Sequence, residues 1–454
     1  MTIAFLTLGC KVNYYETEKM AESVKQRGHD IVTFGDRADV YVINTCTVTN
    51  IADRKSRQMI HRAKKMNPAA VVVAVGCYVE SAESSGKLDP AIDIAYTNKA
   101  KADFADRLEK DIASFLRSSV PADDKDHVNP KTVTADAGRV TDTAGSSQHK
   151  SRTRAFIKVQ DGCNQFCSYC LIPFVRGRGE LSSVPPEEVE REVRASVERG
   201  CKEIVLTGIH LSSYGVSGKG ADAFVREGGK ALSELIKRLD AIEGVRRIRL
   251  GSLEPRIITE DWLSDLRDCE SLCPHFHLSL QSGSDATLKR MNRHYTCSEY
   301  REKVRLLREF YEAPAITTDV IVGFPGETDD EFAQTERFLA DTGFAELHIF
   351  QYSKRSGTRA AGMEDQIPPE VMKSRSERLI EMAEGWRRSY IETQTKPFQD
   401  ILFEEFAETD GGRILTGFNE RYVRYGVSEG EAGKRGYFAG DICRVPQECL
   451  ECMP

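Results

Sequence analysis

Short apolar runs alternate with longer amphipathic stretches along the first hundred residues. The runs at residues 3–8, 40–44 and 71–75 have the length of buried strands, and the stretches between them have helical spacing. This alternation predicts a doubly wound α/β domain over residues 1–117. A cysteine follows each run directly, namely Cys10, Cys46 and Cys77.

The carboxyl ends of parallel strands meet at one edge of the sheet, and ligands bind there. We therefore expect these three cysteines to converge, although a free cysteine is more often a small buried hydrophobe. Three thiolates at one edge predict an iron-sulfur cluster that has one iron without a protein ligand.

Residues 118–150 break the alternation, because they contain no aromatic residue and no Leu, Ile or Met. Such a segment buries too little apolar surface to offset its chain entropy. The composition predicts a flexible linker between two domains.

The alternation resumes with strand-like runs at residues 155–159, 203–207, 247–251, 276–280, 317–322 and 346–350. Six β/α units with right-handed crossovers predict a partial barrel over residues 151–394, with its chemistry at the carboxyl ends of the strands. Residues 395–454 carry shorter strands with Gly-rich turns, which predict a small β-barrel. Its aromatic residues either stack on bases or fill the barrel; these are Phe418, Tyr422 and Tyr425.

The first predicted strand of the partial barrel leads into Cys163, Cys167 and Cys170, spaced C-x3-C-x2-C. A structural zinc site needs four protein ligands, and no fourth Cys or His follows at short range. Three thiolates instead suit a 4Fe-4S cluster with an open iron. The C-terminal pair Cys449 and Cys452 has no partner pair, which argues against a metal site there.

Composition and charge limit the classes of protein. The 13 cysteines are an odd number in a chain of 454 residues, and the start of the chain shows no charged leader, so we expect a reducing, cytoplasmic location. No apolar run approaches the roughly 18 residues that a membrane span needs, so we expect no membrane partner. The net charge of -7 does not favour nucleic-acid binding in general.

One predicted helix carries a local excess of positive charge. Residues 51–65 contain six Lys or Arg against one Asp. A solvated helix face is one interpretation of such a run, and a phosphate-binding surface beside the first cluster is the other.

The Cys163 loop, with Tyr169 before its last cysteine, resembles the signature of the radical S-adenosylmethionine (SAM) enzymes. The resemblance implies that the open iron binds the methionine moiety of SAM and that the cofactor is cleaved reductively to a deoxyadenosyl radical. It also implies that strand-end residues of the barrel hold SAM. The candidates are Tyr169, Thr207, Gly208, Glu254, Ser279, Gln281, Gly323, Pro325, Gly326 and Tyr352.

The order of the three domains resembles the methylthiotransferases, and so do Gly9-Cys10, Asn44-Thr45-Cys46, Gly76-Cys77 and the runs 278–284 and 352–358. The resemblance implies two 4Fe-4S clusters, an auxiliary one on the first three cysteines and the SAM-cleaving one on the second three. It further implies a TRAM-like terminal barrel, a reductase that supplies electrons and a donor of sulfur.

The segment from Cys10 to Asn13 is most similar to the branch that acts on N6-threonylcarbamoyladenosine at tRNA position 37. Two other substrates remain open, isopentenyladenosine in tRNA and an aspartate of a ribosomal protein. A non-enzymatic iron-sulfur RNA-binding sensor is a further alternative. The candidate phosphate contacts are Arg54, Lys55, Arg57, Arg62, Arg176, Arg178, Lys289, Arg290 and Arg293.

Overall fold

The computed structural model describes residues 1–119, 153–394, 396–409 and 411–453. They fall into two compact units, with the boundary between Lys150 and Ser151. The predicted linker lies outside the described residues except for its first two, which end the helix Phe104–Ser119. Among the described residues, no helix combines the length and the apolar character required to cross a lipid bilayer.

The first unit contains a five-stranded parallel sheet in the order β2-β1-β3-β4-β5. Its central strands β3 and β4 are buried at every position, as expected where helices cover both faces. The strands are β1 (Thr2–Thr7), β2 (Asp30–Val32), β3 (Val40–Thr45), β4 (Val71–Gly76) and β5 (Ile94–Tyr96). The helices are α1 (Lys11–Gln26), α2 (Asn50–Met66), α3 (Cys77–Ser84) and α4 (Phe104–Ser119). The predicted doubly wound domain is confirmed.

The second unit begins with two sheets, in the orders β7-β6-β8-β9 and β10-β11-β12. All neighbours pair in parallel except β7, which runs antiparallel to β6. A bridge between Leu253 and Leu278 connects the two sheets, so the six long predicted runs follow one another around a partial barrel. The strands are β6 (Arg154–Asp161), β7 (Ser182–Ser183), β8 (Glu203–Gly208), β9 (Arg247–Leu250), β10 (His275–His277), β11 (Ala315–Val322) and β12 (Glu346–Gln351).

Helices pack outside this partial barrel around a core that includes Trp262, Tyr300 and Phe338. A capping box is present at Thr328, since its side chain accepts from the backbone N–H of Glu331 and the Glu331 side chain accepts from Thr328 N. The helices are α5 (Ile172–Val175), α6 (Pro186–Glu198), α7 (Ala223–Arg226), α8 (Lys230–Asp240), α9 (Glu260–Asp265), α10 (Asp285–Arg290), α11 (Cys297–Phe310), α12 (Asp329–Thr342) and α13 (Pro369–Glu392).

A five-stranded antiparallel sheet in the order β16-β13-β14-β15-β17 ends the second unit. Before the third strand of this sheet, residues 419–423 form a turn, in which Tyr422 has a φ of 66°. The strands are β13 (Phe398–Thr409), β14 (Gly412–Phe418), β15 (Arg424–Ser428), β16 (Ile442–Pro446) and β17 (Glu451–Cys452), with helix α14 (Glu429–Arg435) after β15.

A buried carboxylate ties this terminal sheet to the partial barrel. Glu203 on β8 accepts from Arg249 at 2.7 Å and lies within ion-pair distance of Arg154 and Arg247. These arginines also reach the terminal sheet: Arg249 donates to Glu420 O at 3.0 Å, and Arg247 donates to Phe418 O at 3.0 Å. The positive charges thus bridge β8 and the terminal sheet.

The three aromatic residues that the sequence singled out belong to this junction or to the sheet core. Tyr422 stacks on Phe418 with ring centroids 4.6 Å apart, and the Arg154 guanidinium lies over both rings. Tyr425 is buried. Of the two interpretations left open by the sequence, these contacts favour packing.

Candidate functional site

The first three cysteines lie at the carboxyl edge of the N-terminal sheet. Cys10 caps α1, Cys46 directly follows β3, and Cys77 begins α3 after β4. Burial, together with the neighbouring Cys77 and Cys10 thiols, raises the pKa of Cys46 to about 11. The close approach requires Gly9, because a Cβ there would lie 2.8 Å from Cys46 Sγ and the φ of Gly9 is 102°.

Two buried asparagines connect the loops that carry these cysteines. The Asn13 side-chain amide donates to Leu8 O at 2.8 Å and to Thr45 O at 3.0 Å, which joins the residues before Cys10 and Cys46. Asn44 donates to Asn13 O at 2.9 Å and to Thr17 Oγ1 at 3.0 Å. Since buried amides are costly unless they are hydrogen-bonded, this network holds the two loops in a single arrangement.

The structure adds a residue to this site that the sequence did not indicate. Asn98 precedes α4 by a few residues, and its Nδ2 donates to Cys77 Sγ at 3.7 Å. Hydrogen bonds to cysteine sulfurs shift the reduction potential of iron-sulfur clusters. Asn98 is therefore a neutral donor to the first cysteine set.

The second set lies in the loop after β6, at the carboxyl end of the partial barrel. Burial, opposed by a backbone hydrogen bond and reinforced by the Cys167 thiol, raises the pKa of Cys163 to about 12. Burial and the same neighbouring thiol also raise the pKa of Cys170. The Cys167 thiol thus lies close enough to disfavour ionisation of Cys163 and Cys170.

A half-buried arginine from outside the loop contacts this second set. Arg293 Nη1 donates to Cys167 Sγ at 3.2 Å, and Nη2 donates to Ser279 O at 3.2 Å. Tyr295 accepts from Arg293 Nε at 2.9 Å. Arg293 was predicted as a phosphate contact, which stays a prediction; in the structure its guanidinium donates to Cys167, Ser279 and Tyr295 and so acts as a cationic donor to Cys167.

The donor chemistry of both sets fits an iron-sulfur cluster. Each set brings three thiols together, since the neighbouring thiols help to raise the pKa of Cys46 and of Cys163. A structural zinc site needs four protein ligands, whereas thiolates are the ligands of a 4Fe-4S cluster.

Several predicted SAM-binding residues meet at the same rim of the barrel. Tyr169 in the cysteine loop contacts Phe324 after β11, and Phe324 contacts Tyr352 after β12, with ring centroids 6.3 and 5.5 Å apart. Thr207 and Gly208 end β8. Glu254 follows β9, is buried and accepts from Arg256 Nε at 2.7 Å. Ser279 and Gln281 follow β10, and Gln281 has a φ of 73°.

The predicted turn after β11 uses one of its glycines for packing. A Cβ on Gly323 would lie 2.1 Å from Met372 Cγ on α13, and the φ of Gly323 is 73°. Gly326, whose φ is 75°, forms the end of the same turn beyond Pro325. Close approach to a ligand is therefore not needed to explain Gly323.

A polar group that the sequence did not indicate lies on three neighbouring strands. The ligand atoms of His277, Asp319 and His348 lie within 4.8 Å of one another. Ile316 and Val320 alternate with Asp319 and belong to the core under the helices, so Asp319 points to the opposite, inner face of the barrel. The three residues come from separate strands, which is why no local pattern shows them.

The predicted phosphate contacts differ in their exposure. Arg54, Lys55, Arg57 and Arg62 are exposed on α2, and Arg178 and Lys289 are exposed in the second unit. Arg290 pairs with Glu331 and is partly buried. Arg176 is 2% exposed and pairs with Asp161 at 3.2 Å, so its prediction as a phosphate contact is wrong for this structure.

Comparisons with known proteins identify both units. The Radical SAM superfamily matches residues 157–339, and the uncharacterized protein family UPF0004 matches residues 2–96. The threonylcarbamoyladenosine tRNA methylthiotransferase MtaB of Bacillus subtilis is 39% identical over 93% of this chain and 89% of its own length. The chain belongs to the radical SAM methylthiotransferase family.

Other relatives and a solved structure agree with this family. The MtaB protein of Aquifex aeolicus is 38% identical over 93% of this chain and 96% of its own length. A tRNA-2-methylthio-N(6)-dimethylallyladenosine synthase of Clostridium tetani is 32% identical over 88% of this chain and 84% of its own length. The radical SAM methyltransferase TsrM of Kitasatospora setae has a TM-score of 0.51 at 14% identity over 77% of this chain and 72% of its own, which shows similarity of fold.

The radical SAM domain implies a 4Fe-4S cluster that cleaves SAM, and it implies that SAM binds there. The Cys163 loop is the expected site of this cluster. Family membership also excludes the non-enzymatic sensor. At the first cysteine set, three thiols converge at the edge of a parallel sheet.

Proposed function

We propose that this protein converts N6-threonylcarbamoyladenosine at position 37 of tRNA, next to the anticodon, to its 2-methylthio derivative. The proposal rests on how similar this chain is to relatives named for different substrates. Four proteins named for this substrate are 32 to 39% identical over 93% of the chain. Proteins named for the dimethylallyl substrate are 30 to 34% identical over 84 to 90% of it.

The cysteines divide the chemistry between two sites. Cys10, Cys46 and Cys77 would hold an auxiliary 4Fe-4S cluster, and Cys163, Cys167 and Cys170 would hold the other. When bound, the clusters and SAM supply the radical and sulfur chemistry that no protein acid or base provides for an unactivated C2 hydrogen. The chain's own residues fix the thiols: Asn13 and Asn44 at the first site, and Arg293 at the second.

The rim residues would position SAM. Glu254 is held by Arg256 and offers a fixed carboxylate, and the Tyr169, Phe324 and Tyr352 rings offer an apolar wall. A buried wall also keeps water from a reactive radical. Thr207, Gly208, Ser279 and Gln281 complete the proposed cofactor site at the ends of β8 and β10.

The reaction also needs groups from outside the chain. Reductive cleavage of SAM consumes an electron, so we expect a reductase as a partner, and the transferred sulfur requires a sulfur donor. A tRNA substrate places the protein in the cytoplasm. The exposed basic side chains of α2, together with Arg178 and Lys289, are the proposed phosphate contacts.

Anaerobic assay of the reconstituted protein tests the proposal. Three substrates are offered in parallel with SAM and reductant: a tRNA bearing threonylcarbamoyladenosine, a tRNA bearing isopentenyladenosine, and a ribosomal protein with its target aspartate. We expect a mass increase of one methylthio group on the first only. Modification of the second instead, which the dimethylallyladenosine synthase relatives favour, would overturn the proposed substrate.

Cysteine variants provide the matched control. Cys163→Ala should abolish deoxyadenosine formation, whereas Cys201→Ala should retain it, because Cys201 belongs to neither cysteine set. Equal activity of the two variants would contradict the assignment of the SAM-cleaving site.

A further inference from the structure

Two exposed aromatic side chains lie beside the second cysteine set. Phe166 directly precedes Cys167 and is 43% exposed, and Phe174 on α5 is 48% exposed. Their ring centroids are 5.7 Å apart with an angle of 69° between the planes. We call this pair the aromatic platform. Aromatic side chains dominate binding surfaces, and a contiguous apolar patch on a soluble protein often marks an interaction site.

The backbone under the platform adopts an unusual conformation. Phe166 has a φ of 47°, which is a genuine outlier for a bulky residue. The loop is held there by neighbours, since Asn292 Nδ2 donates to Phe166 O at 3.1 Å and the Gln165 side chain donates to Ala221 O at 2.8 Å. Backbone strain of this kind persists where the surroundings enforce it, and it is concentrated at functional sites.

A glycine makes room for the exposed ring. A Cβ on Gly179 would lie 2.8 Å from Phe166 Cζ, and the φ of Gly179 is 87°. Arg178, the residue before it, is exposed. The platform therefore combines exposed rings with an adjacent cation, and these are the two features with which proteins bind unpaired nucleic acid.

We propose that the aromatic platform stacks on an unpaired base of the tRNA anticodon loop next to the adenosine that is modified. This inference rests on the proposed function. Enzymes that act on a base remove it from its stack, which costs stacking energy. The base beside it then loses a neighbour, and an aromatic ring at the rim of the active site replaces that neighbour.

Variants of Phe174 test the inference, because Phe174 is further from the cysteines than Phe166. Phe174→Ala and Phe174→Leu remove the aromatic ring, and Phe174→Tyr retains it. Phe398→Leu is the matched control, since Phe398 on β13 is 45% exposed and outside the platform. The probe is an anticodon stem-loop RNA with 2-aminopurine beside adenosine 37, whose fluorescence is quenched when the base stacks.

We expect Phe174→Ala and Phe174→Leu to weaken RNA binding about tenfold or more, the effect of losing one base–aromatic stack. Both should also reduce quenching of the 2-aminopurine. Phe174→Tyr and Phe398→Leu should bind as the wild type does. Iron content establishes that each variant still assembles its clusters, and the comparison of Leu with Tyr separates stacking from simple loss of apolar contact.

Two results would overturn the inference in different ways. If the wild type modifies and binds the RNA but Phe174→Leu binds equally well, the platform does not stack on the tRNA and the proposed function stands. Equal RNA binding by the wild type and Phe174→Leu is also the result expected if the platform binds a protein segment instead of RNA. If the wild type binds no stem-loop and modifies none of the tRNA substrates, the proposed function fails and the platform inference fails with it.

Discussion

Glu203→Gln is expected to destabilise the second unit by removing the charge that joins the partial barrel to the terminal sheet. Burial opposes ionisation of Glu203, but the positive charges of Arg249, Arg154 and Arg247 outweigh it and lower its pKa from 4.5 to about 2. A shift of this size corresponds to about 3 kcal/mol of stability at neutral pH. Because the pKa is lower in the folded state, this contribution is present above pH 4.5 and is lost as the pH falls towards 2.

Thermal unfolding followed by circular dichroism measures the effect. We expect Glu203→Gln to lower the midpoint at pH 7.5 by roughly 5 to 10 °C, since it leaves buried guanidinium groups without a negative partner. The control is Glu187→Gln, which removes an exposed carboxylate that pairs with Arg238 at 3.0 Å and should leave the midpoint unchanged. The reasoning is refuted if the two variants behave alike, or if the difference between Glu203→Gln and wild type grows as the pH falls below 4.5.

Three further predictions concern the cysteine sites. Replacing the first cysteine set by Ala should abolish methylthiolation but retain deoxyadenosine formation, whereas replacing the second set should abolish both. Mass spectrometry of the nucleosides measures both products. Full methylthiolation by the first variant would contradict an auxiliary cluster. Arg293→Met should lower the midpoint potential of the second cluster, because the cationic donor to Cys167 that it removes favours the more negative, reduced state of the cluster. A redox titration followed by electron paramagnetic resonance measures this potential. An unchanged potential would count against this role. Asn44→Ala is made in the variant that lacks the second cysteine set, so that only iron at the first set is measured. It should reduce bound iron because Asn13 O and Thr17 Oγ1 lose their donor. Iron content equal to that of the parent variant would refute this prediction.

The sequence predicted the strands and the positions of the cysteines because both depend on local pattern. Runs of apolar residues at 40–44 and 71–75 correspond to β3 and β4, each of which extends one residue further at the carboxyl end. The hydrogen-bond donors to the cysteine sulfur atoms were not predictable in this way. Asn98 is 21 residues from Cys77 in the chain, and Arg293 is 126 residues from Cys167, so only the fold brings these pairs together.

The sequence pattern also did not predict which side chains of one short loop are buried. Arg176 and Arg178 look equivalent in the sequence, yet Arg176 is buried against Asp161 and Arg178 is exposed. The intervening Gly177 has a φ of 77°, which turns the chain sharply between them. Arg178 and Gly179 also have positive φ values, of 51° and 87°, so a left-handed turn over residues 177–179 separates the buried side chain from the one that is available to a phosphate.

The junction around Glu203 explains how an acidic terminal sheet fits a tRNA-modifying enzyme. The sheet and its tail carry seven Lys or Arg against eleven Asp or Glu, and the side chains best suited to RNA contact the partial barrel instead. Phe418 and Tyr422 stack with Arg154, and Arg421 donates to the backbone of residues 312 and 313. With a net charge of -7, the protein gains little from a general basic surface. We therefore propose that local features elsewhere in the chain supply the affinity for tRNA, namely the exposed basic side chains of α2 and, at the rim of the barrel, the aromatic platform with Arg178.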